Sequence, residues 1–463
     1  MGKFLATAAI VILGILPAQA ETLADALAAA YTNSQLLDQN EALLRAADED
    51  VAVAVAALRP VVNFVARGAY SSTVAERFTN TTPPVSLGRL RDDGFTPTFN
   101  LVAELTLLDF GRRQLQIEIA KETVLATREA LRGLEQQVLL GAVAAFVDVR
   151  LTTEIVALRQ SNVRLITQEL RAAQDRFEVG EVTRTDVAIA EARLASARSG
   201  LTAAEGDRMV ARERYKAVTG AYPGNLAGLP PLPKTAASAE AARQVALRTH
   251  PSIAQAQRQV TVSDLGVEAT KANMRPRLGA EASVGYNTAT DTETEAVTLT
   301  FSQTLYSGGA LASSHRKAVA QREAQRANLA QTAINVAEDV GNAWSAVQVA
   351  GASIEAGQLQ VTAAQTAFDG VREEASLGAR TTLDVLDAEQ ELLDARATRL
   401  QAEAQRYVGV YQLLAAMGLL TVDHLNLGIP TYDPATYYNA VKNAPITSPQ
   451  GKKLDRILGK IGN

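Results

Sequence analysis

Two short segments hold the residues whose types and spacing offer chemistry. The stretch LGARTTLDVLDAEQEL, Leu377 to Leu392, sets Asp384 and Asp387 three residues apart. Positions i and i+3 share one face of a helix, so the two carboxylates would lie together. Crowded carboxylates repel, which raises some of their pKa values and favours bound cations. Copies of the chain sharing an axis would gather these acids into a ring that prefers multivalent cations. A second reading stands beside the first. Asp384 follows Thr381 and Thr382, and a negative charge in a first helical turn suits the helix dipole. Arg380 taken alone is a solvated surface residue. Glu389 is expected to face elsewhere, so that its removal does little.

An earlier stretch, VGEVTRTDVAIAEARL from Val179 to Leu194, matches the first at its Gly, Thr, Asp, Val, Ala, Glu and Leu positions. Ile189 stands where the later copy has Asp387. The chain therefore carries this segment twice but pairs the acids once. Catalytic chemistry finds no support. His250, His315 and His424 are scattered, without local metal-ligand spacing, and suit surface or packing roles. No G-x-x-x-x-G-K-[ST] phosphate loop occurs. The glycine pair in YSGGA suits a turn. No enzyme activity, cofactor or structural metal is expected.

The duplication extends along the chain. ALRPVVNFVARGAY (Ala57–Tyr70) parallels NMRPRLGAEASVGY (Asn273–Tyr286), and LLDFGRR (Leu107–Arg113) parallels TLYSGGA (Thr304–Ala310). YTNSQL (Tyr31–Leu36) likewise parallels RTHPSI (Arg248–Ile253). The first half is longer because of TVAERFTNTTPPVSLGRLRDDGFTP, an insertion suited to a loop tip. This gives a first repeat at 21–222, a Pro- and Gly-rich linker at 223–236, and a second repeat at 237–428.

Periodicity divides each repeat. Near 61–108, Val62, Phe64, Ala66, Tyr70, Phe99, Leu101, Ala103, Leu105 and Leu107 alternate with polar residues. Near 277–306, Leu278, Ala280, Ala282, Val284, Tyr286, Val297, Leu299, Phe301 and Leu305 do the same. Period two with one apolar face predicts strands, as one hairpin per repeat. The rest reads as helix. Proline is absent between Pro97 and Pro223 and between Pro276 and Pro430. The run from Gly111 to about Glu178 amounts to roughly 100 Å of helix at 1.5 Å per residue. The second half repeats it to Ser376. Each run ends near a glycine, Gly180 or Gly378, and another helix follows. Leu386, Leu393, Leu400, Tyr407 and Leu414 recur every seventh position, with Gln390, Ala397, Ala404 and Tyr411 between them. That seam predicts antiparallel coiled-coil packing.

The 463-residue chain has a net charge of −5, which gives no reason to expect nucleic-acid binding, and it has no cysteine. Lys3, the apolar FLATAAIVILGIL and Ala18-Gln19-Ala20 fit a cleaved signal peptide over 1–20, leaving Glu21 at the mature N-terminus. No later segment approaches the roughly 20 apolar residues of a membrane helix. An exported chain meeting a membrane would then do so with strands or surface contacts. Four strands cannot satisfy their edges in lipid alone, but several chains sharing one barrel can. A soluble two-hairpin cap on helices is the alternative.

This plan, with Arg-Pro before the first strand of each repeat and G-x-x-T-x-x-D-V after each long helix, resembles the TolC-type outer-membrane channel family. The resemblance covers residues 21–428 and rests most on VGEVTRTDV and LGARTTLDVLDAE. It implies a mainly α fold with a small β part: a duplicated coiled-coil tunnel, and two hairpins giving four strands to a twelve-stranded transmembrane β-barrel of a homotrimer. It implies the outer membrane of a Gram-negative bacterium, surrounding lipid, and a large periplasmic part. The implied function is a passive exit duct for type I protein secretion or drug efflux. An inner-membrane ABC or proton-driven pump and a periplasmic adaptor (membrane fusion) protein would open it. By position, Asp384 and Asp387 match acids at the periplasmic entrance constriction. Arg380 matches a basic residue whose links to Thr185 and Asp186 hold the entrance shut. Ala375 departs from members that carry an aromatic there. The tail at 429–463 matches nothing in the family, and its composition predicts a loosely ordered extension. A periplasmic coiled-coil structural or adaptor protein is the alternative. An adaptor, however, would have one helical hairpin flanked by compact β domains.

Overall fold

The computed structural model describes residues 20–78, 87–446, 452 and 456. The expected signal peptide, apart from Ala20, lies outside the described residues, as do part of the first-repeat insertion and most of the far C-terminus. The elements run α1 (Leu23–Thr32), α2 (Gln35–Ala56), β1 (Val61–Phe78), β2 (Leu87–Leu108), α3 (Arg112–Glu178), α4 (Arg184–Thr219) and α5 (Ala239–Thr249). They continue as α6 (Pro251–Ala272), β3 (Arg277–Asn287), β4 (Thr292–Ser302), α7 (Ala310–Ser376), α8 (Thr382–Ala416) and α9 (Pro434–Val441). The chain divides into two units. One comprises Met1–Gln39, Leu131–Pro251 and Ala333–Thr431; the other comprises Asn40–Ala130, Ser252–Thr332 and Tyr432–Asn463.

The second unit holds the strands. Alternation of side chains along each strand makes the register decisive, because a one-residue slip would turn every side chain to the other face. The two expected hairpins join through β2 and β3 into a single antiparallel sheet of order β1-β2-β3-β4. Its register matches apolar to apolar along much of one face. Val62 meets Ala103, Ala103 meets Ala282, and Ala282 meets Val297. Phe64, Leu101 and Val284 form the next row, which ends at Glu295 on β4. On the other face Glu104 lies opposite Glu281, and Glu281 opposite Thr298. The apolar face is uncovered: Phe64 is 69% exposed, Leu299 67% and Phe301 65%. β3 and β4 are 11 residues each, the length of a tilted membrane-crossing strand. β1 and β2 are longer, and their outer parts pair only with each other among the described residues. β4 ends at Ser302, short of the expected 306. Gly308 and Gly309 take positive φ there, so the chain turns into α7 and Leu305 falls beyond the strand.

The end of the chain corrects an expectation. Residues 434–441 of the tail expected to be loose form α9, capped by Asp433 and started by Pro434. Arg59 donates to the carbonyls of Asn443 and Ala444, both at 2.7 Å. The Tyr437 hydroxyl donates to Glu49 at 2.7 Å. Arg128 donates to the Pro434 carbonyl and lies 5.3 Å from the centre of the Tyr438 ring. These partners are hundreds of residues away in sequence, so local composition gave no sign of them.

In the first unit the duplication is visible as chemistry. At the end of α4, Gly220 has φ +88, and Asn33 donates to the adjacent Thr219 carbonyl at 2.8 Å. Past α8, Gly418 has φ +74, and Thr249 donates to the adjacent Met417 carbonyl at 2.6 Å. A Cβ on Gly418 would lie 2.7 Å from His250 Cα, so the backbones approach too closely for any side chain. The expected seam of α8 is buried at Leu386, Leu393, Tyr407 and Leu414. Val385, Leu392 and Ala395 pack with Ala364, Phe368 and Ala375 of α7. Leu386 packs with Ile166 of α3 and with Ala190, Leu194 and Ala197 of α4. One helix thus joins both halves.

Candidate functional site

The two expected turn glycines perform the same task. Gly180 has φ +84 and Gly378 φ +78, a left-handed conformation that favours glycine. In the first turn Glu181 N–H donates to the Arg176 carbonyl at 2.9 Å; in the second Ala379 N–H donates to Glu374 at 2.9 Å. This closes the last turn of α3 and of α7 in a Schellman arrangement. Three residues past each glycine stands a threonine N-cap. Thr183 and Asp186 form a reciprocal capping box at the start of α4, and Thr381 and Asp384 form one at the start of α8. The Gly, Thr and Asp of the repeated motif are therefore helix-turn residues in both copies.

The acids then separate. The Asp384 carboxylate accepts from the Thr381 backbone N–H at 2.9 Å and from its hydroxyl at 2.8 Å. Those bonds, backbone first, hold its pKa below the usual carboxylate range, and nearby Arg380 adds to the effect. Asp387, one turn on, is half exposed and accepts from Arg193 of α4 at 2.5 Å. Within one chain, then, the two aspartates share a helix end but have different partners.

Arg380 is placed differently from the family expectation. Its Nε donates to Glu374 of its own turn at 2.7 Å, and this raises its pKa further. Asp186 is occupied by Thr183, at 2.9 Å to the backbone and 2.8 Å to the hydroxyl. Within one chain Arg380 is not brought to Thr185 or Asp186. A local partner six residues away forms at little entropic cost. The link between the first-half helix and α8 is made instead by Arg193 and Asp387. Ala375 is buried against Val385 and its neighbours rather than leaving a gap.

Glu389 does face elsewhere than the two aspartates, but its surroundings argue against the expectation that its removal does little. It is only 5% exposed, and its carboxylate accepts from the Asn162 amide of α3 at 2.7 Å. Its other oxygen has no partner. Burial pushes its pKa up to about 7, opposed by the Asn162 bond. Glu389 lies three residues after Leu386 and four before Leu393, so the seven-residue seam already placed it inward. Asn162 and Arg193 carried no sequence signal, because their partners are distant in the chain. Among the described residues, no group of three or more His, Cys, Asp or Glu side chains could hold a metal ion, and no helix is long and apolar enough to cross a membrane.

Comparison with known proteins adds to this geometry. The sequence matches the family described as Outer membrane efflux protein over residues 26–221 and 242–419, one stretch in each repeat. It is 34% identical to the outer membrane efflux protein BepC of Brucella suis biovar 1 (strain 1330), covering 95% of this chain and 96% of that one. It is 28% identical to the alkaline protease secretion protein AprF of Pseudomonas aeruginosa over 58% of this chain and 59% of that one. The fold is similar to that of the Campylobacter jejuni CmeC outer membrane channel, with a TM-score of 0.74, 16% identity, and 92% and 90% of the two chains covered.

Proposed function

This chain belongs to the outer membrane efflux protein family, and on that premise we propose that three copies together form a passive exit duct through the outer membrane. The observation that carries this reading is the sheet. Its register gathers the apolar residues of all four strands on one face, interrupted by Glu293 and Glu295 at one end of β4, and β1 and β4 are each paired on one side only among the described residues. In lipid every unpaired backbone group costs several kcal/mol, so an open edge cannot persist there. Four strands are too few to close a barrel, since the smallest membrane barrels have about 8. Pairing β4 of one copy with β1 of the next removes every edge, and three copies supply twelve strands. Lipid meets the apolar face, and the face carrying Glu104, Glu281 and Thr300 lines water.

The near full-length match to an efflux protein favours small-molecule export. The shorter match to a protease secretion protein supports a second reading, export of a protein. With no phosphate-binding loop in the sequence, the energy comes from an inner-membrane pump, ABC or proton-driven, reached through a periplasmic adaptor. Exposed Phe177, Val179 and Leu377 at the two turns suit contact with such a partner. Asp384 and Asp387 of the three copies line the entrance. Arg193 offsets part of their charge and takes the bracing role expected of Arg380, Thr185 and Asp186.

Cell fractionation followed by mass measurement in detergent tests the proposal. The expected outcome is an outer-membrane protein with the mass of three chains. Recovery as a monomer in the soluble periplasm would remove the basis for it.

A further inference from the structure

The segment around α9 covers a buried polar cluster that the exit-duct reading leaves unused. Asp48 of α2 has 0% exposure, yet neither carboxylate oxygen has a hydrogen-bond partner. Two nearby buried atoms are also unpartnered, Nε of Arg128 on α3 and the hydroxyl of Tyr432 just before α9. The three groups influence one another electrically: the Arg128 charge acts on Asp48, and both act on Tyr432. Two oxygens that need donors, a nitrogen that needs an acceptor and a hydroxyl that can be either are thus gathered in the second unit.

Looseness of the segment does not explain this, because the bonds of Arg128 to Pro434, Tyr437 to Glu49 and Arg59 to Ala444 hold it just after Tyr432. Buried polar groups are almost always paired, and where protein atoms cannot reach them an enclosed water does so with two to four bonds. The chemistry of the three groups narrows the guest. An apolar molecule would leave all four atoms unpaired. A metal ion lacks a ligand set among the described residues, and Arg128 already supplies positive charge. Only a small guest that both donates and accepts suits them all.

We propose that Asp48, Arg128 and Tyr432 enclose a bound-water site that clasps the C-terminal segment to α2 and α3. The water donates to Asp48 and accepts from Arg128 Nε, and the Tyr432 hydroxyl completes its bonding. Burial raises the Asp48 pKa, Arg128 opposes that, and Glu49 reinforces it. A neutral Asp48 carboxyl would itself donate to the water, so the site holds in either form. Asp48 and Arg128 lie within the family match, and Tyr432 lies beyond residue 419, where that match ends.

Thermal unfolding of the full-length protein in detergent separates a hydrated site from a dry one. In a dry site Asp48→Leu removes an unpaired buried carboxyl and raises Tm. In a hydrated site it breaks the network and lowers Tm by about 2–4 °C. Tyr432→Phe, which keeps the ring, lowers Tm as well, and the double variant falls by less than the sum because both act through one water. A rise with Asp48→Leu, or strict additivity, overturns the proposal. Should Asp48→Leu fail to fold, a high-resolution experimental structure of the parent decides. Solvent density within about 2.7–3.2 Å of Asp48 and Tyr432 is expected. A direct Asp48–Tyr432 bond, or a metal ion at shorter distances, would overturn it.

Discussion

The turn after α3 and the turn after α7 are built alike and used differently. Both close on a left-handed glycine, and both start the next helix with a Thr-x-x-Asp capping box. On the helix that follows, the copies diverge. Ile189 packs partly buried beside Ile166 and Leu194 in the first. Its counterpart in the second, Asp387, is half exposed and bound to Arg193. Glu191 is exposed, whereas Glu389 is buried against Asn162. Repetition thus preserved the residues that make the turn. The side chains free of that task are used differently in the second copy: Asp387 stands in place of an isoleucine, Glu389 keeps the acid of Glu191 but is buried, and both tie α8 to the first half.

The strands extend the comparison and carry the largest expected effect. If the two repeats set matching faces to lipid, Leu101→Arg places a charge in the apolar row and costs about 2–4 kcal/mol, enough to impair assembly. Thr300→Arg, on the opposite face, should assemble near the parental yield on gels of membrane extracts. Equal yields for the two would break the face assignment.

Next in size is the contrast between Glu389 and Glu191. Glu389→Ala strands the buried Asn162 amide and should cost about 1–3 kcal/mol in denaturant unfolding. Glu191→Ala should change stability by less than about 0.5 kcal/mol. The Glu389 pKa is raised on folding, so the folded state binds its proton more tightly than the unfolded state does. Its contribution is full below about pH 4.5 and is lost as pH rises to about 7. Glu389→Gln should remove that part of the pH dependence, on the order of 3 kcal/mol. An unchanged pH profile would mean that the carboxyl is not enclosed.

The glycines should show no contrast. Gly180→Ala and Gly378→Ala each force a left-handed alanine and should cost about 1–2 kcal/mol apiece. A large difference between them would show that one turn has a further task. Smaller still in energy is the effect at the entrance. In planar bilayers a trivalent cation added from the periplasmic side should block conductance, and Asp384→Ala with Asp387→Ala should weaken that block. Arg193→Ala should raise conductance more than Arg380→Ser does; the reverse order would restore Arg380 as the brace.

Much of the architecture was legible because it is periodic. Alternation located four strands and their apolar sides, although the outer parts of β1 and β2, read as a loop-tip insertion, are paired strand, and the long proline-free runs ending at Gly180 and Gly378 located the long helices. The joining of β2 to β3 was not legible, since nothing local states which strand neighbours which. Glu389 was set aside because it turns away from the paired aspartates, although its place in the Leu386–Leu393 seam pointed inward. The α9 segment was misjudged from its Pro, Asn and Lys content. Its order comes from Arg59, Arg128 and Glu49, far away in the chain. The helix-start reading of Asp384 describes its bonding within one chain, and the entrance reading depends on copies meeting at an axis.

That meeting of copies is the central claim, and a chain without cysteine allows a direct measurement of it. Cysteine pairs can be introduced with one member on β1, between Val61 and Arg67, and the other on β4, between Thr294 and Thr300. The cells are then oxidised and the membranes run on denaturing gels without reductant. The account predicts that at least one pairing gives a covalent ladder ending at three chains, lost on reduction. Bands that stop at two chains, or bridges only within single chains, would contradict it.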